Sequence, residues 1–194
     1  MSQMLEIRWH ARGGQGAKTA AILLAEAAAK AGKYIQGFPE YGPERMGAPM
    51  LAFNRISDEA IRVHCHVTNP RVVVILDPTL AGKVDVAEGV PDGGIILVNT
   101  SESPARMRSL LKLEGRPLQI YTVDASKIAL ETLGRDIPNT PMMGALMRVT
   151  KIMDYDYFLN LMKGELEHKF KSRPEVVEGN IKAISRAYEE VRGE

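Results

Sequence analysis

The run Ala11-Arg12-Gly13-Gly14-Gln15-Gly16-Ala17-Lys18-Thr19 constrains this chain most, because of what stands on either side of it. Leu5-Glu6-Ile7-Arg8-Trp9-His10 leads in with the two-residue alternation of a strand, and the alanine-rich stretch from Ala17 to Ala31 leads out with helical periodicity. A strand, a glycine turn and a helix in that order open a βαβ unit, which implies a sheet with helices packed on it. The turn's N–H groups and the helix's first-turn N–H groups point the same way, and the helix dipole adds to their field, so the junction suits an anion. Gly13, Gly14, Gln15, Gly16 and Thr19 are candidate contacts, with His10 at the strand's carboxyl end where ligands bind in open α/β sheets. A second role for the glycines, close packing of helix on strand, fits equally well.

The rest of the chain continues the pattern. Ala17, Ala20, Leu24, Ala28 and Ala31 share the helix's inner side, Gly32 ends it, and Ile22 falls on the polar side, which calls for a covering element or another chain. Tyr34 to Phe38 reads as a second strand. Residues 39–50 hold three prolines and two glycines, the mark of a loop with fixed turns. That loop presents Tyr41, Glu44 and Arg45, either as solvated surface or to a partner for which a rigid loop loses little entropy on binding. Leu51 to Ile56 and Ile61 to Val67 alternate and are expected to pair as an antiparallel hairpin. The β-branched runs Arg71 to Leu76 and Ile95 to Asn99 fit strands covered on both faces, and Leu118 to Val123 fits a further one. Ser103-Pro104 and Asp124 open helices, a methionine-rich helix runs from Pro141 to Ile152, and a short one covers Asp156 to Met162. Ser172-Arg173-Pro174-Glu175 fits a capping box for the last helix. The expected fold is a single domain over residues 1–194, three-layer α/β and Rossmann-like, with a mostly parallel sheet and an antiparallel hairpin.

Several functions are disfavoured by the residues themselves. The dinucleotide fingerprint keeps only two of its three glycines, with Ala11 in the first place, and no acid stands in the Tyr34-Ile35-Gln36-Gly37 region where one would hold a ribose. A Walker loop needs glycine directly before its lysine, and Ala17 intervenes before Lys18. A free-standing nucleotide-binding oxidoreductase is thus the weaker alternative. A net charge of +1 gives no general attraction to nucleic acid or to a membrane surface. No apolar run nears the roughly 20 residues of a membrane span, and no secretory leader is evident, so a cytoplasmic setting is expected. The single cysteine, Cys65, cannot hold a four-cysteine cluster. His64 and His66 would share a strand face, which makes a metal pair conceivable, but nothing nearby completes it; exposed strand histidines fit better, and no metal site is expected.

Arg-Gly-Gly-Gln-Gly at 12–16, Thr19-Ala20-Ala21, the stretch from Gln36 to Pro49 and Asn139-Thr140-Pro141-Met142-Met143-Gly144-Ala145 resemble the gamma subunit of 2-oxoacid:ferredoxin oxidoreductases, most of all the pyruvate enzymes. The likeness covers nearly the whole chain, and the long loop is its most specific part. The resemblance implies a complex that oxidatively decarboxylates a 2-oxoacid, transfers the acyl group to coenzyme A and reduces ferredoxin. It implies alpha, beta and delta partner subunits, thiamine diphosphate and magnesium held between other chains, and iron–sulfur clusters in a ferredoxin-like delta subunit. On this resemblance the gamma subunit carries no catalytic residue. It is associated with assembly and coenzyme A access, and on this chain the candidate surfaces are Tyr41, Glu44 and Arg45 for the partner subunits and His10, the glycine turn and Thr19 for coenzyme A. A 2-oxoglutarate, branched-chain or indolepyruvate enzyme is the alternative setting.

Overall fold

The computed structural model describes residues 4–40 and 48–194. Seven strands form one sheet: β1 (Leu5–Arg12), β2 (Tyr34–Glu40), β3 (Pro49–Ser57), β4 (Val72–Ile75), β5 (Ile95–Asn99), β6 (Gln119–Val123) and β7 (Arg192–Gly193). Their order is β2-β3-β1-β4-β5-β6-β7. β1, β4, β5 and β6 pair in parallel, whereas β3 runs antiparallel to both β1 and β2, and β7 antiparallel to β6. The sheet is therefore mixed, with β3 and β7 as its reversed strands.

The antiparallel hairpin exists, but its arms are β2 and β3. The expected second arm, 61–67, forms no strand. The reason lies in β3, whose two edges are already taken, by β1 on one side and β2 on the other. Residues 61–67 instead run as irregular chain, with the Gln36 amide donating to Val63 O at 2.8 Å. Of the alternating apolar side chains Val67 is buried but Val63 and Cys65 are exposed, so the alternation of 61–67 does not follow burial.

Six helices complete the fold: α1 (Ala17–Lys30), α2 (Pro104–Leu110), α3 (Ala125–Leu133), α4 (Asn139–Thr150), α5 (Tyr155–Lys169) and α6 (Pro174–Glu190). Ser103 and Asp124 cap α2 and α3 as expected, accepting from Arg106 N at 3.2 Å and Lys127 N at 3.0 Å. α5 is twice as long as its apolar pattern suggested, because Asp154 caps it and the stretch past Met162 keeps Leu166 buried. The last helix has no capping box. Pro174 takes its first position, so Arg173 rather than Ser172 is the N-cap and no side chain caps the end.

The two faces of the sheet are covered differently. Ile7, Trp9 and Ala11 of β1, with Val72 and Val74 of β4, meet α1, α4, α5 and α6. Val73, Ile75, Ile96 and Val98 face the other way, onto Met107 of α2 and onto Val86, Ala87 and Val90 of an irregular segment. Ile22 is left 37% exposed among the described residues.

α4 and α6 cross closely at Gly144, where a methyl group would run into the Ile184 carbonyl. Gly144→Ala is therefore expected to destabilise the protein by about 1–3 kcal/mol through overpacking. Gly164→Ala, in α5 with open space around it, should raise stability by about 0.5–1 kcal/mol through helix propensity. Urea unfolding of the two variants checks both signs.

Candidate functional site

β1 is the strand at which the topology reverses. The chain leaves it through α1 toward β2 and β3 on one side, and returns to place β4 on the other. The crevice beyond the carboxyl ends of β1 and β4 is therefore the switch point where α/β sheets take ligands.

Four residues build that crevice. Asp77, at the end of β4, accepts from Thr79 N at 2.8 Å and from the Gln15 amide at 3.0 Å, and it pairs with Arg12 Nε at 3.1 Å. The Gln15 side chain also turns back to accept from Arg12 N at 2.8 Å. Burial works to raise the Asp77 pKa, but the hydrogen bonds from Thr79 and Gln15 and the charge of Arg12 outweigh it and hold the carboxylate below its usual range. The glycine turn is thus stapled to the β4 end by a saturated, ionised carboxylate.

Gly16 is the N-cap of α1, at φ 82°, a left-handed conformation that favours glycine. A Cβ there would stand 2.6 Å from Asn139 Nδ2, so Gly16 also lets the starts of α1 and α4 approach. No side chain caps α1 and no acid stands in its first turn, so its N–H groups open toward the crevice with the positive end of the dipole. Gly14, at φ 100°, has open space where a side chain would be. Gly13 N donates to Ala48 O at 3.1 Å. That bond ties the turn to the incoming end of the β2–β3 connection, which leaves β2 at the same end of the sheet. Tyr41, Glu44 and Arg45 in that connection lie outside the described residues.

His10 and Thr19 are not brought together. Thr19 lies on α1, on the helical side, where it lines a cavity of about 490 Å³. His10 points to the opposite face with Arg8, and both line a cavity of about 360 Å³ with Leu51, Leu80 and Val84. Arg8 is only 7% exposed. Its Nε donates to His10 Nε2 at 3.0 Å, and Nη2 donates to Val86 O at 3.0 Å and Glu88 O at 2.7 Å. Burial, and then the Arg8 charge, lower the His10 pKa to about 3. His10 is a neutral acceptor for Arg8, and its near contacts are structural.

His64 and His66 do not sit together on a strand. The His66 ring lies at the edge of Phe53, 6.4 Å between centroids, and His64 borders a hollow beside Arg55 and Phe38. Among the described residues no group of three or more His, Cys, Asp or Glu side chains is placed to hold a metal.

A family model described as pyruvate ferredoxin/flavodoxin oxidoreductase matches residues 6–190. The chain belongs to this family. Pyruvate synthase subunit PorC of Thermotoga maritima is 50% identical over 187 residues, covering 96% of this chain and 94% of that protein. The pyruvate/ketoisovalerate oxidoreductases common subunit gamma of Pyrococcus furiosus is 44% identical over 186 residues, covering 96% of each. The crystal structure of the Thermotoga maritima pyruvate oxidoreductase subunit PORC superposes with a TM-score of 0.85 at 48% identity, over 98% of both chains. A 2-oxoglutarate:ferredoxin oxidoreductase from Magnetococcus marinus shares the fold at a TM-score of 0.75 and 19% identity, over 96% of this chain and 31% of that one.

Within this pyruvate ferredoxin/flavodoxin oxidoreductase chain, Asp77 is legible from the sequence as a ligand contact or a cap for the next turn, and it does cap that turn by accepting from Thr79 N; the role of Asn139 in organising the junction is not legible. Asp77 carried a signal, since it ends a β-branched run that reads as a central strand; Asn139 acts from 123 residues away, where spacing says nothing.

The His10 geometry has a pH signature. Folded His10 stays neutral down to about pH 3, whereas an unperturbed histidine protonates near 6.5. Between these values the unfolded chain binds the extra proton, so stability falls on acidification, at up to about 1.4 kcal/mol per pH unit. His10→Gln, which keeps an acceptor for Arg8, is expected to flatten that part of the profile when urea unfolding is followed from neutral to acid pH.

Proposed function

We propose that this chain is the gamma subunit of a pyruvate:ferredoxin oxidoreductase, an assembly and coenzyme A-access subunit whose complex converts pyruvate to acetyl-CoA and reduces ferredoxin. The observation that carries this reading is the full-length similarity to the Thermotoga maritima PorC subunit in both sequence and fold. The complex works in the cytoplasm with alpha, beta and delta subunits.

The residues divide the labour. With one cysteine in 194 residues, this chain does not fit an iron–sulfur cluster, so clusters reside in the delta subunit. Thiamine diphosphate and magnesium lie between the other subunits. Coenzyme A supplies the thiol that accepts the acyl group. For its phosphates this chain offers the uncapped start of α1 and the turn at Gly13, Gly14, Gln15 and Gly16, with Thr19 beside them. His10, held by Arg8 on the other face, reaches that ligand only around the end of β1. Tyr41, Glu44 and Arg45, in the connection between β2 and β3, are the residues assigned to the partner subunits.

A common subunit serving a pyruvate enzyme and a branched-chain 2-oxoacid enzyme is the second reading, favoured by the name of the Pyrococcus furiosus relative. Substrate choice then rests with the chains that hold thiamine diphosphate.

Recovery of the tagged chain from its native source, with mass spectrometry of what accompanies it, tests the assignment. One set of alpha, beta and delta chains is expected; two sets establish the common-subunit reading, and a lone monomer overturns both. Gly14→Ala, strained at its positive φ, is expected to raise the KM for coenzyme A several-fold with the KM for pyruvate unchanged. Equal effects on both substrates would remove the turn from coenzyme A binding. Arg45→Glu is expected to weaken retention of the partner chains in size-exclusion chromatography; an unchanged complex refutes that role.

A further inference from the structure

The cavity of about 490 Å³ in the helical layer is a site of its own. Three cations from three places converge on it: Arg135 before α4, Lys169 at the end of α5 and Arg173 before α6. Among the described residues none of them forms an ion pair or a side-chain hydrogen bond; Lys169 Nζ only lies over the Phe170 ring, 5.8 Å from its centroid. Four other arginines do have ion pairs: Arg12 with Asp77, Arg55 with Glu6, Arg108 with Glu194 and Arg186 with Glu131. Three cations around a cavity that one carboxylate, Glu175, also borders leave an excess of like charge, and their repulsion is relieved when an anion joins them.

The remaining lining gives the anion its shape. Glu175 is the one carboxylate there, and it sits in the first turn of α6, where that helix's dipole already favours it. α4 begins at the cavity with Asn139 and Thr140 and carries no acid in its first turn; Thr140 N is taken by Asn139 Oδ1 and Pro141 has no N–H, so what the helix adds is the positive end of its dipole. Leu23, Leu166 and Phe170 supply apolar wall. The volume falls within the roughly 300–1,000 Å³ of small-molecule pockets.

We propose that this cavity binds a small amphipathic anion, with a phosphate or carboxylate head among Arg135, Lys169 and Arg173 and an apolar body against Leu23, Leu166 and Phe170. It is separate from the coenzyme A contact at the glycine turn, although Thr19 borders both.

The test is calorimetric titration of the purified complex with n-octyl phosphate, beside inorganic phosphate and 1-octanol. Octyl phosphate is expected to bind at least about tenfold tighter than either, as head and body each add contacts, and more weakly at high salt. The double variant Lys169→Gln/Arg173→Gln, altered only at exposed side chains, should lose about tenfold or more of that affinity. Lys171→Gln, exposed and outside the cavity, should bind as the unaltered protein does. Unchanged binding by the double variant, or equal binding of inorganic phosphate, overturns the proposal. Displacement of the probe by coenzyme A overturns the separate site; the coenzyme A assignment itself is read from Gly14→Ala kinetics and is untouched by the other arms.

Discussion

A guanidinium buried in the middle of the sheet sets the terms for much of this fold. β1 is flanked by β3 and β4, so both its edges are paired, and side chains on both its faces are buried, yet every second side chain is polar: Glu6, Arg8, His10 and Arg12. Burying Arg8 without partners would cost several kcal/mol. Its partners are backbone carbonyls, Val86 O and Glu88 O, and the neutral His10 ring. A regular helix has already spent its carbonyls on its own ladder, whereas irregular chain has them free. That is a physical reason why the segment between β4 and β5 covers this face as turns rather than as helix. Arg55, 1% exposed, repeats the solution one strand away, donating to Glu6 at 2.7 Å and to Gln36 at 3.1 Å.

The other face is organised by one polar chain through an apolar layer. Trp9 Nε1 donates to Asn54 Oδ1 at 2.8 Å, and Asn54 Nδ2 donates to Ala21 O at 2.7 Å. Indole, amide and helix carbonyl are each satisfied, so the network fixes the height of α1 above β1 and β3 without leaving a buried orphan. Alanines along the inner side of α1 allow that close seat. Once α1 is fixed, Gly16 meets Asn139, and the starts of α1 and α4 open beside each other. The anion-friendly end of the molecule is thus a consequence of core packing.

Periodicity made most of the architecture legible. The runs at 72–75 and 95–99 are buried parallel strands as their β-branched character demanded, and the caps at Ser103 and Asp124 hold. It failed where one pattern serves two structures. Residues 61–67 alternate without pairing, and alternation alone does not reveal that β3 has no free edge. Ser172 lost its cap to the stronger preference of Pro174 for the first helical position. The separation of His10 from Thr19 was readable in principle: His10 has the parity of Arg8, and α1 packs on the face of Trp9. Asn139 and the cations around the 490 Å³ cavity come together only through helix packing, which no local spacing encodes.

The chemistry of the junction argues for binding over proton transfer. A general acid or base needs a pKa near the working pH and room to exchange its proton. Asp77 is held ionised by Thr79, Gln15 and Arg12. His10 is held neutral, with Nε2 occupied by Arg8. The pKa values of both groups are thereby held below the neutral range, which leaves Asp77 charged and His10 uncharged as fixed struts. What stays open at the crevice is backbone N–H and helix dipole, which attract an anion at any physiological pH and exchange no proton with it. A junction built this way suits the binding of an anion and offers no side chain poised to exchange a proton with it.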